Sequence, residues 1–147
     1  MSLMTVILVA FAAIYPSGYR LNRKSAKATV ASKTATAVAA ELLSLPFFDD
    51  RPPGSSPPIF TLASLGDAGT GALQVQQFLA TSLKTPIPTG YIVRPQGIQV
   101  WASPATTDPT PLFARIQVTV YWPDAQHANI EHSLTVVTAK TDNQVSR

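Results

Sequence analysis

Two histidines, His127 and His132, stand close together near the end of the chain, with Asp124 and Glu131 beside them. This stretch is where side chains able to bind a metal or pass a proton concentrate. Either chemistry needs the four groups to converge, and their spacing matches no standard metal motif. A solvated hairpin loop accounts for the same residues. A serine–histidine–aspartate triad can be composed from the residues present, but no G-x-S-x-G elbow marks a nucleophile. The segment GDAGTG, residues 66–71, is rich in glycine yet lacks the lysine and the strand–loop–helix frame of a phosphate loop. Asp67 alone is too little for a calcium loop. Trp101, Tyr121 and Trp122 form either an aromatic patch or the core and edge packing of a sheet. The chain has no cysteine, so disulfides, thiolate catalysis and cysteine-bound metals are excluded. No catalytic constellation emerges, and no enzyme activity, cofactor or metal is expected.

The elements that carry these residues follow from composition and period. At 147 residues the chain can build one domain with a core. Only 13% of it is charged, against about a quarter in ordinary soluble domains. So thin a charge suits a surface that faces lipid, a neighbouring subunit or a glycan. The net charge is +3, and its excess is uneven: Arg20, Arg23, Lys24, Lys27 and Lys33 follow one another with no anion between them. This block, whose first four cations Arg20, Arg23, Lys24 and Lys27 form a basic neck, suits anionic lipid head groups or the acidic side chains of a neighbour. No aromatic residue interleaves its cations, so no specific nucleic acid is predicted as a partner.

Met1–Tyr15 carries no charge and reads as a helix buried on all sides. Pro16, Ser17 and Gly18 predict a kink or short break. Helical composition returns from Tyr19 to Leu45, with Leu21, Val30, Val38, Leu42 and Leu45 near one face. Small residues recur every fourth position, Ala31, Ala35 and Ala39 on one line and Ser32, Thr36 and Ala40 beside it. Such lines fit close contact with another helix or the packing of a helix on a sheet. Pro46 ends the helix. Residues 49–58 read as a turn-rich linker, residues 64–73 as a flexible loop, and Val75–Leu83 as a short helical turn. Alternation in residues 97–103, 111–122 and 130–140 predicts three strands of an antiparallel sheet with one covered face. On the second strand Ile116, Val118, Val120 and Trp122 share a face; on the third Ile130, His132, Leu134 and Val136 do. Residues 123–129 join these two as a hairpin loop. The expectation is an α+β fold, a long N-terminal helix kinked near Pro16 and packed on a C-terminal antiparallel sheet. Residues 1–18 form its hydrophobic assembly or anchor helix, 19–46 the amphipathic helix of the globular domain, and 47–147 linker loops and sheet.

The apolar head alone is compatible with a signal peptide, a membrane anchor, a core helix or an assembly helix. No cation precedes it, against a signal peptide. A membrane span needs about 20 apolar residues, so fifteen before a proline is short. The residues MSLMTVILVAF resemble the mature start of a type IV pilin or type II secretion pseudopilin. Met1, Ser2, Leu3, Met4, Val6, Ile7, Leu8, Val9, Ala10 and Phe11 match that pattern in kind. The kink-forming proline and the basic stretch IYPSGYRLNRKS fit as well. ATAVAAELLSLPF, residues 35–47, resembles the helix end of minor pilins of the PilV or GspI type, and ARIQVTVYWPDA with EHSLTVVTAK resembles their closing hairpin.

The resemblance implies a pilin-like fold and a methylated first residue. It implies assembly into a helical filament, with copies of the chain or other pilin subunits, through Met1, Leu3, Thr5, Val6, Leu8, Val9, Phe11, Ile14 and Pro16. Before assembly the subunit would be anchored in the inner membrane, and afterwards it would lie in an extracellular filament at the cell surface. The chain departs from the pattern at Thr5, where the family usually has glutamate to neutralise a neighbour's terminal amine. The Thr5 hydroxyl or a backbone carbonyl must then accept that amine. Pro16 also comes about six residues earlier than the family's proline, and the C-terminal cysteine pair of many pilins is missing. A structural filament subunit, a minor pilin or pseudopilin of a secretion or DNA-uptake machine, and a membrane-anchored extracellular binding domain all remain open at this point.

Overall fold

The computed structural model describes residues 3–49, 51–52, 56, 59–103, 112–124, 127 and 129–142, with side chains from residue 21 onward except those of Leu112 and Asp142. Helix α1 (Leu3–Leu43) is followed by a one-turn helix α2 (Leu62–Leu65), helix α3 (Gly71–Thr81) and strands β1 (Ile92–Ala102), β2 (Leu112–Pro123) and β3 (Glu131–Asp142). The strands form one antiparallel sheet in the order β1-β2-β3. The α+β expectation therefore holds, with the C-terminal part of α1 covering β2 and β3 while α2 and α3 sit against β1.

Alternation on β2 is as predicted. Ala114, Ile116, Val118, Val120 and Trp122 are buried against α1. Of the two small-residue lines on α1, Ala31, Ala35 and Ala39 face this sheet and are buried. Thr36 and Ala40 on the neighbouring line are exposed, with Ser32 half-buried. Alanine lets the helix axis come close to the sheet, and Val38 and Leu42, on the line beside it, fill the adjoining space. Phe47, Leu62, Leu65, Val75 and Phe78 extend the core under the short helices, with Phe60 meeting Phe78 edge to face at 5.7 Å.

Several expectations are corrected. Of the kink or short break expected at Pro16, the break is absent, since α1 is helical through that position; the proline gives up one backbone hydrogen bond, and the turns on both sides carry the helix across. Residues 64–73 are not a flexible loop but hold the end of α2 and the start of α3, and α3 begins four residues before the predicted turn. The Thr61 hydroxyl accepts from the Ser64 amide while the Ser64 hydroxyl receives the Thr61 amide, a reciprocal cap that starts α2. Leu21 is 69% exposed, off the common face assigned to it, and Ile130 precedes β3 and is exposed. β1 starts five residues earlier than its alternation indicated, because its first half is irregular. Register slips between Val93 and Ile98, with three extra residues on β1. Gly97 lies in that bulge: a Cβ there would come within 2.9 Å of the Thr119 carbonyl oxygen and 3.1 Å of the Tyr121 ring. Pro95 and Gly97 obscure the period-2 signal over these residues.

Candidate functional site

The hairpin between β2 and β3 does bring Asp124 and His132 together. The Asp124 carboxylate lies 2.8 Å from His132 Nε2 and accepts the His127 amide at 3.2 Å, with the His127 ring 3.8 Å away. Trp122 packs its ring 5.8 Å from that of His132 and 6.1 Å from Tyr91. Glu131 does not join them. It is held by Arg94 across the sheet through two bonds of 2.6 and 2.8 Å. Among the described residues no group of three or more histidines or carboxylates could hold a metal ion. The geometry is that of a loop closed by its own aspartate.

The other chemical candidates resolve in the same way. The Asp67 carboxylate accepts the Gly69 and Thr70 amides and the Thr70 hydroxyl, closing the turn before α3. The Thr70 hydroxyl and amide hold that carboxyl below the usual range. Trp101, Tyr121 and Trp122 do not form one patch. Trp122 is buried beneath α1, whereas Trp101 and Tyr121 lie on the opposite face, under the guanidinium groups of Arg115 at 5.1 Å and Arg94 at 4.8 Å. An open groove of about 1000 Å³ runs between α3 and β1, lined by Leu73, Gln76, Gln96 and Trp101 among others. It holds no cluster of titratable groups. The chain matches no family model, no curated protein and no solved structure.

The feature that sets this molecule apart from a closed domain is the course of α1. Leu21, Asn22, Arg23, Lys24, Ser25 and Ala26 are all exposed. Six consecutive residues pass through every direction around a helix at 3.6 residues per turn. The helix therefore has solvent on all sides at this point. At Lys27 its carbonyl accepts the Tyr91 hydroxyl at 3.2 Å, and burial against the domain is full at Ala31. From Leu3 to Ala26 the helix measures about 36 Å at 1.5 Å per residue. Of the basic neck, Arg23 and Lys24 are exposed and Lys27 is half-buried. Leu3, Thr5, Val6, Leu8, Val9, Phe11, Ile14, Pro16 and Arg20 lie on α1 but outside the residues whose side chains are described, and Met1 lies outside the described residues altogether. Among the described residues no helix is long and apolar enough to cross a membrane.

Three connections escaped the sequence reading. Glu41, on the last turns of α1, accepts the Lys84 amide at 2.7 Å, the Thr85 amide at 3.0 Å and the Thr85 hydroxyl at 2.7 Å. Burial pushes its carboxyl up, but those hydrogen bonds outweigh burial and hold it below the usual range. Lys140 on β3 donates to the Leu43 and Leu45 carbonyls at 2.9 and 3.0 Å and lies over the Phe47 ring, so a strand residue caps the end of α1. The only signal for it was negative: α1 has no basic residue in its last turn. Asp49, just beyond the end of α1, is bonded by Arg51 at 2.9 Å.

Proposed function

We propose that this chain is the structural subunit of an extracellular, type IV pilus-like filament and assembles through its N-terminal helix. The observation that carries the reading is the exposure of α1 on every side at residues 21–26, five residues beyond the uncharged run Met1–Tyr15. A helix that leaves its own domain has no internal core in which to bury such a run. Neighbouring copies supply one, at about 1.5–3 kcal/mol for each large apolar side chain fully buried. A long helix whose second half covers a three-stranded antiparallel sheet, as here, is also the arrangement expected of a pilin-like subunit. The filament would keep the helices inside and the sheets outside.

Electron microscopy of the full-length protein, beside the same chain lacking residues 1–18, tests this. The full chain is expected to form long fibres. The shortened chain is expected to melt cooperatively and form none. If removing residues 1–18 unfolds the sheet, the apolar run belongs to the domain's own core and the reading fails. Copies confined to the ends of fibres built from another subunit would make the chain a minor pilin.

A further inference from the structure

We propose that the free edge of β3 is a docking surface for a second copy of this chain, the two β3 strands pairing antiparallel about a twofold axis into one six-stranded sheet. The proposal goes beyond the filament reading and involves none of its residues.

The two edges of the sheet are unlike. β1 carries the devices that keep an edge from pairing: a bulge between Val93 and Ile98, and a proline at 95. The turn after α2 also lies against it, since a Cβ on Gly66 would come within 3.0 Å of the Ala102 nitrogen and 3.2 Å of the Val100 carbonyl oxygen. β3 has none of these. Its twelve residues pair with β2 without a register shift and include no proline and no glycine. Positions 133–139 carry no charge, and the one lysine, Lys140, is turned inward onto the α1 carbonyls. Among the described residues no backbone hydrogen bond from any element but β2 reaches β3. Its faces are under-covered too. Leu134 and Val136 are only partly buried, and Val137 is 49% exposed.

A second copy is the occupant the strand itself favours. In a sheet continued about a perpendicular twofold, inner residues must face inner residues, so the axis passes midway between one residue and its own copy rather than level with a peptide bond. Centred on Val137, the pairing sets Thr135 opposite Ala139, Val136 opposite Thr138 and Ser133 opposite Thr141. It also sets His132 opposite the position of Asp142, so no like charges meet. Since β1 is guarded, β3 cannot add to β1 of the next molecule, and the association closes at two.

The test uses the full-length chain in a non-ionic detergent, which masks the apolar run, and reads its mass by sedimentation equilibrium. A dimer is expected at tens of micromolar, and Val137→Lys, at an exposed position, should sediment as a monomer. Val137→Cys provides a second readout in a chain without cysteine: a short bismaleimide should link two copies, whereas Gln96→Cys on β1 should not be linked. A monomeric parent, a dimer that survives Val137→Lys, or equal linking at positions 96 and 137 would each overturn the proposal. All three outcomes leave the filament reading untouched, because that reading depends on residues 1–18.

Discussion

Glu41 shows how one side chain ties two parts of the fold together. Its carboxylate receives two amides and a hydroxyl from the segment that leads out of α3. Charge-assisted bonds of this kind are stronger than neutral ones, and leaving the amides unpartnered costs more than the bonds contribute. Glu41→Ala is expected to lower stability by about 1–3 kcal/mol, read as a shift in the urea midpoint. The pH dependence has a definite sign. Because the folded-state carboxyl titrates below the ordinary glutamate range, its contribution is complete above that range and is lost as pH falls through the depressed value. The parent should therefore lose stability faster on acidification than Glu41→Ala does. Parallel curves would show that Glu41 does not contribute. Nothing near Glu41 in the sequence announced this role, since its partners lie 43 and 44 positions away. Lys140 is similar, with carbonyl partners 95 and 97 positions back. Contacts of that range have no local pattern to read.

Elements were legible where one period governed a long segment. Ala31, Ala35 and Ala39 recur every fourth residue, and the structure seats that line on the sheet; β3 alternates over residues 131–141, and β2 does so apart from the buried Thr119. α2 and α3 were obscured because glycine, serine and threonine, which here cap and join two helices, read locally as loop. Pro16 does not break α1, because a proline's local cost is outweighed when the turns on both sides are helical. The two small-residue lines now make opposite predictions. Ala35 has no exposed surface, so Ala35→Leu forces methyl groups between helix and sheet and should destabilise the domain by about 1–3 kcal/mol. Ala40 is exposed, so Ala40→Leu should leave the domain's melting temperature within the error of the measurement. If Ala40→Leu nonetheless abolishes fibres, the outward line is a contact between subunits rather than a solvated face.

At the scale of the whole molecule, α1 emerges from the sheet domain at its exposed residues 21–26, and that boundary can be located chemically. A protease can cut a helix only after it opens locally, and opening is easiest where no tertiary contacts oppose it. Residues 21–26 have solvent on every side, and the cations Arg20, Arg23, Lys24 and Lys27 place trypsin sites along this stretch. Competing sites are protected: Arg51 precedes Pro52, the Lys84 amide is held by Glu41, and the Lys140 ammonium is engaged with the end of α1. Brief trypsin digestion of detergent-dispersed protein is expected to release one stable fragment beginning at Ser25 or Ala28, identified by mass spectrometry, that melts like the parent. First cleavage inside the sheet domain would mean that the boundary is misplaced. In fibres the same sites should be cut far more slowly, because neighbours would then cover residues 21–26, which are exposed in the single chain. Equal rates in the two states would sink the assembly role of the N-terminal helix while leaving the domain boundary intact, and the two claims are thereby separated in one experiment.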